Sequence, residues 1–183
     1  AYNLEGVDKL VLNGDVLAKI FSGQITKWND PAIAALNSGA TLPDGNITPI
    51  YRSDSSGTTD NFQKYLGVAA PEAWTKGAGS EFQGGAGEGA QKSAGVVQAV
   101  QATPGAIGYV EYAYAKQNKM THTKLVNAAG KVVEPVTPAF QAAAAKADWT
   151  GTPGFGGNLN DQAAPAAWPM TAATFILIPQ HPT

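Results

Sequence analysis

The chain has 183 residues, long enough for one domain with a substantial core. Its 12 basic and 14 acidic residues leave a net charge of −2, which excludes the basic field that nucleic-acid binding needs. It has no cysteine, which excludes a disulfide framework, a thiolate nucleophile and a cysteine-ligated metal, and no apolar run nears the roughly 20 residues that cross a bilayer.

In chain order, Tyr2-Asn3-Leu4 and Leu10-Val11-Leu12 read as short strands around a turn at Glu5-Gly6. Asn13 or Asp15 caps a helix whose apolar positions Val16, Leu17, Ile20 and Phe21 follow helical spacing, and Gly23 ends it. Asp30-Pro31 starts a second helix, with Pro at its first position, that stops at Asn37-Ser38-Gly39. A turn at Pro43-Asp44-Gly45-Asn46 leads into a strand over residues 47 to 51. A hydroxyl-rich stretch, Arg52 to Thr59, separates that strand from a helix through Phe62, Tyr65 and Leu66.

Ala70 to Trp74 predicts another short helical piece, and the glycine-rich residues 77 to 89 predict a loop. Helical spacing returns at Val96, Val97 and Val100 and stops at Thr103-Pro104-Gly105. Residues 106 to 110 form a short apolar strand feeding a helix from Glu111 to Lys116. Leu125-Val126 and Val132-Val133 flank Asn127-Ala128-Ala129-Gly130, a hairpin pattern. Thr137-Pro138 caps an alanine-rich helix through Ala147, and residues 150 to 169 predict irregular chain. Thr174 to Ile178 is the most strand-like run of all. Strands alternating with helices predict an α/β fold, in which ligands sit where strands end and helices begin.

The turn after Tyr51 meets that placement. A helix start offers unpaired N–H groups and the positive end of the helix dipole, and Ser55, Ser56, Thr58 and Thr59 surround Gly57 there. Hydroxyls at a helix start are also ordinary caps. Arg52 shifts the balance, because it is the only arginine in the chain and lies two residues before Asp54. Asp54 can orient its guanidinium by a charge-assisted bond, leaving other N–H groups for an oxyanion; the plain alternative is a surface ion pair. The site residues read this way are Arg52, Ser56, Gly57 and Thr58, with Asp54 in support.

Other chemistry finds little footing. Gly85-Ala86-Gly87-Glu88-Gly89-Ala90 matches a loose dinucleotide fingerprint, but no apolar strand precedes it. No P-loop and no G-x-S-x-G elbow is present. His122 and His181 lack neighbours at ligand spacing, so neither a metal nor a cofactor is implied, and no catalytic residue is assigned. The tyrosines at 109, 112 and 114 and the four tryptophans read as core or cleft wall.

Long stretches carry a resemblance: residues 17 to 30, Tyr51 to Thr58, Pro104 to Tyr112 and Thr174 to Ile178. In these the chain resembles the phosphate-binding proteins of bacterial high-affinity phosphate ABC transporters. The resemblance implies a two-lobed clamp of the type II periplasmic-binding fold, working outside the cytoplasmic membrane and delivering inorganic phosphate to the membrane subunits. In the family's R-x-D-x-S-G-T turn, Arg52, Ser56, Gly57 and Thr58 match the phosphate-binding positions and Asp54 the acid paired with the arginine. Ser55 stands where some members have glycine, a departure that matters if the position needs positive φ. Family members also carry an earlier segment with further donors and an aspartate that accepts the phosphate proton. The expectation is therefore that residues 1–183 are one α/β domain, the second lobe of the clamp, with a central mixed sheet flanked by helices. The first lobe is an expected partner. The function expected is phosphate capture rather than catalysis, against two rivals: an interaction or antigenic fragment indifferent to phosphate, and a phosphoester-processing enzyme.

Overall fold

A computed structural model of the protein describes residues 1–151, 156–176 and 178–179. Strand β1 (Val11–Leu12) runs into helix α1 (Gly14–Phe21), where Asn13 is the cap: its Oδ1 accepts the Val16 N–H at 2.9 Å. The left-handed Gly23, at φ +77°, follows the end of α1. Helix α2 (Pro31–Leu36) starts where Asp30 Oδ1 accepts the Ala32 N–H at 2.8 Å. Strand β2 (Thr48–Arg52) and helix α3 (Gly57–Ala69) come next, and they frame the hydroxyl-rich turn. Strand β3 (Glu88–Ala90), helix α4 (Lys92–Ala102), strand β4 (Ala106–Gly108) and helix α5 (Tyr112–Gln117) complete two further strand-to-helix passages. Strands β5 (Lys124–Val126) and β6 (Val132–Val133) and helix α6 (Thr137–Lys146) follow.

The α/β expectation holds, but the strands form two three-stranded sheets rather than one central mixed sheet. In the first, β5 pairs parallel with β1 and antiparallel with β6, as the hairpin pattern predicts. In the second, β2 lies between β3 and β4 and is parallel to both. All three of its strands therefore end at the same edge.

Two cores flank this parallel sheet, and the period-2 alternation of its strands sorts residues between them. Ile50 and Ala106 join Val96, Val97 and Val100 of α4, while Ile107 and Tyr51 pack with the larger cluster around Phe21, Phe62 and Tyr65. Gly108 lets α4 close on the sheet, since a β-carbon there would lie 2.9 Å from methyl carbons of both Val96 and Val100. In the larger core Phe21, Trp28 and Tyr65 are almost wholly buried. Burying a side chain such as that of Phe21 stabilises by roughly 1.5–3 kcal/mol. The Trp28 indole also donates to the Gly105 carbonyl at 3.1 Å, which fixes the turn before β4.

Five local expectations change. Tyr2-Asn3-Leu4 is reduced to a single antiparallel bridge, Tyr2 to Ile107, because only that residue meets β4 in register. Residues 70 to 74 make a turn, with the Ala73 and Trp74 N–H groups both on the Ala70 carbonyl, and do not extend into a helix. The glycine-rich loop contains β3, whose strand character comes from pairing Glu88, Gly89 and Ala90 with Ile50, Tyr51 and Arg52. Gly87 enters it at φ +99°, with a β-carbon position only 2.0 Å from the Pro49 carbonyl oxygen, so no other residue fits without a shift of the chain. Val136, with no side-chain bond, stands at the cap of α6 in place of Thr137.

The fifth is the strand expected at Thr174 to Ile178. Its described residues form no strand; Phe175, Ile176 and Ile178 are exposed, while Leu177 lies outside the described residues. β-propensity reflects packing against neighbouring strands, and none of the described strands pairs with this run.

Candidate functional site

The hydroxyl-rich turn leaves the end of the central strand β2. Arg52 is the last residue of that strand, and its N–H is held by the Tyr109 phenolic oxygen at 3.1 Å. Its guanidinium folds back on Asp54 in a two-pronged bond: Nε donates to Oδ1 and Nη2 to Oδ2, both at 2.7 Å. The Arg52 side chain is 11% exposed, so this is a largely buried fork rather than the surface ion pair that was the alternative. Nη1 donates to Ser93 Oγ at 3.2 Å. Of the five guanidinium N–H groups, about two remain for other acceptors.

Ser56 caps α3. Its Oγ accepts the N–H groups of Thr58 (3.1 Å) and Thr59 (3.2 Å), and its own N–H donates to the Ser80 carbonyl at 2.9 Å. Gly57 follows at the first helical position, exposed, with open space where a β-carbon would stand. Its N–H meets no acceptor among the described residues and belongs to the positive end of the helix dipole. Thr58 is half-buried and its hydroxyl donates to Glu111 Oε1 at 2.7 Å. Ser55 keeps a negative φ, so serine in place of glycine brings no strain there.

The neighbouring strand ends supply residues that the reading of motifs missed. From the β3–α4 junction, the Lys92 N–H donates to Asp54 Oδ1 at 2.9 Å, while the Ser93 hydroxyl donates to Glu111 Oε2 at 2.6 Å. From the end of β4 come Tyr109 and Glu111. Both were visible as members of a strand feeding a helix. The signal that would have found them is the rule that parallel strands end together, so one strand-to-helix junction on an α/β sheet implies others beside it.

The electrostatics follow from these contacts. The Arg52 fork and the Lys92 N–H hold the Asp54 carboxyl far below its ordinary value, and the same fork raises the Arg52 guanidinium. Burial acts to raise the Glu111 carboxyl, but the Ser93 and Thr58 hydroxyls and the Arg52 charge outweigh it, so Glu111 lies below the usual range. Burial raises Tyr109, with the Thr59 hydroxyl and Arg52 N–H partly offsetting it. The cluster thus holds one fixed cation and two carboxylates. It can present N–H and O–H donors to an oxyanion, with Asp54 absorbing much of the guanidinium charge.

Thr58 and Glu111 also line a cavity of about 350 Å³, together with Phe62, Tyr112, Phe140 and Trp168. His122 lines it too, but its Nδ1 pairs with the Met120 carbonyl at 3.2 Å, while Ser56 Oγ is committed to backbone N–H groups. That is not the arrangement of a serine nucleophile and its base. His181 lies outside the described residues.

Residues 1–182 match the PBP superfamily domain. The phosphate-binding protein PstS of Pasteurella multocida is 47% identical over 175 residues, covering 94% of this chain and 51% of that protein. The phosphate-binding protein PstS3 of Mycobacterium bovis is 53% identical over 129 residues, 70% of this chain and 35% of that protein. Among solved structures, a high-affinity periplasmic phosphate-binding protein (PfluDING) bound with phosphate superposes with a TM-score of 0.59 at 27% identity. The match covers 79% of this chain and 41% of that one. The chain thus spans about half the length, or less, of these relatives.

Proposed function

The chain belongs to the PBP superfamily, and from that premise we propose that it is one α/β lobe of a two-lobed clamp for inorganic phosphate. The observation that carries the reading is the buried fork of Arg52 on Asp54, set at the hydroxyl-rich start of α3. The phosphate-binding names of the relatives support it. Arg52 would supply a bidentate donor whose position Asp54 holds; the Gly57 N–H and the Ser56 and Thr58 hydroxyls would complete this jaw. Further donors would come from a first lobe, closing over the anion so that many short bonds act in a desolvated cleft.

The relatives named are binding proteins, and the role proposed for this one is capture rather than turnover. Its place would be outside the cytoplasmic membrane, as for the solved periplasmic relative, with the membrane subunits of an ABC transporter receiving the phosphate. With one jaw acting alone, phosphate binds weakly, with a Kd on the order of millimolar, corresponding to about 4 kcal/mol.

Titration calorimetry with phosphate and with sulfate on the chain and on Arg52→Ala tests the assignment. Binding heat that disappears in the variant is the expected result. Equal heats for the two proteins would overturn Arg52 as the centre of the site.

A further inference from the structure

Glu111 is oddly used for its position. It is the N-cap residue of α5, and its side chain makes no capping bond. Only its backbone carbonyl serves the helix, accepting from Tyr114 and Ala115. The carboxylate instead reaches across to two other helix starts. One oxygen takes the Thr58 hydroxyl of α3 at 2.7 Å, and the other takes the Ser93 hydroxyl of α4 at 2.6 Å. Ser93 in turn accepts from Arg52 Nη1 at 3.2 Å, so the carboxylate is tied to the guanidinium through one hydroxyl.

We infer that the Glu111 carboxylate is a resident counter-anion of the site, competing with an incoming oxyanion for the Thr58 hydroxyl and so setting its affinity. This rests on the phosphate reading above and adds a regulation to it. The argument is one of donors and charge. A hydroxyl has one proton to give, and Thr58 gives its proton to Glu111. Each carboxylate oxygen takes a hydroxyl at 2.6–2.7 Å, the donor type and distance that an incoming oxyanion would also use. The charge points the same way. Asp54 already holds Arg52 in a two-pronged bond, so an added anion meets one cation shared by two carboxylates, and Glu111 adds repulsion. Phosphate binding here is therefore an exchange: Thr58 leaves the carboxylate as it turns to the anion. The carboxylate also gives the two helix starts a defined spacing, which the exchange would release.

The test is phosphate calorimetry on the chain and on Glu111→Gln, Glu111→Asp, Arg52→Ala and the double variant Arg52→Ala/Glu111→Gln, with folding of each checked by circular dichroism. Removing the charge while keeping the shape tightens phosphate binding about ten-fold in Glu111→Gln, whereas Glu111→Asp, which keeps the charge, does not gain to that extent. A residue that only braced the helices would give the opposite sign, a loss in Glu111→Gln. Unchanged or weaker binding in Glu111→Gln, with Arg52-dependent binding intact in the parent chain, overturns this inference and leaves the phosphate reading standing. If neither the parent nor Glu111→Gln shows heat that Arg52→Ala abolishes, the phosphate reading fails and this inference falls with it.

Discussion

Tyr109 and Thr59 share a hydrogen bond of 2.7 Å between their hydroxyl oxygens, and Tyr109 also accepts the Arg52 N–H at 3.1 Å. Both residues are buried, with Thr59 at 0% exposure. One phenol therefore ties the end of β2, the first turn of α3 and the chain leaving β4 at a single point. Its ring stacks on Phe62 with centroids 4.4 Å apart, which leaves the hydroxyl little freedom to move. This contact and the pairing with Ala90 of β3 hold the Arg52 backbone, and Asp54 sets its side-chain direction.

Tyr109→Phe keeps the stacked ring but leaves buried groups short of a partner. A loss of about 1–3 kcal/mol in unfolding free energy is expected from urea denaturation. In Tyr109→Phe/Thr59→Val the unpaired hydroxyl is gone as well, so the double variant loses less than the sum of the two single ones. Additive losses would mean that the two hydroxyls are energetically independent.

Asn127 has a comparable reach in the hairpin between β5 and β6. Its Nδ2 contacts the carbonyl oxygens of Ala164, Pro165 and Ala167, each at 3.1 Å, and its Oδ1 accepts the N–H groups of Ala129 (3.1 Å) and Lys131 (3.0 Å). Asn127→Ala orphans groups on both sides, and the expected cost is about 2–4 kcal/mol. Limited proteolysis gives a sharper readout: cleavage between residues 161 and 169 should accelerate, because Asn127 holds that segment against the hairpin. Unaltered cleavage there would show that other contacts suffice.

The carboxyl groups of the cluster contribute to the pH dependence of stability, alongside Asp44, Glu134 and Asp148, whose carboxyls are also held down by their partners. Asp54 and Glu111 both have folded-state values below their unfolded ones, so the stabilisation they bring is fully present above the ordinary carboxyl range, around 4. It is lost as pH falls through that range and on below it. Asp161 has the opposite sign: burial raises it, so its contribution grows as pH falls. Thermal melting from pH 7 to pH 3 should show a falling Tm below about pH 4. Asp54→Asn should melt lower at pH 7 and decline less steeply in acid. An acid slope equal to that of the parent chain would disconnect the Arg52–Asp54 fork from stability.

The local signals proved good guides wherever a residue acts on its own neighbourhood. Asn13 and Asp30 cap helices because their oxygens reach N–H groups two or three residues ahead, which sequence spacing alone determines. Ser56, Gly57 and Thr58 stand at the start of α3 for the same reason. The pairing of Arg52 with Asp54, two residues on, is likewise a short-range contact.

What escaped the sequence depends on partners far along the chain. Glu88 to Ala90 looks like loop by composition and becomes a strand only because β2 offers it hydrogen bonds. Thr174 to Ile178 looks like strand, and its described residues lie outside every described sheet. The same holds for the candidate anion turn. Residue order by itself determined the helix start, its hydroxyls and the single arginine with its acid. Tertiary structure alone decided that Ser93 and Glu111 join them, because parallel pairing of β2, β3 and β4 brings three strand ends, distant in sequence, to one edge.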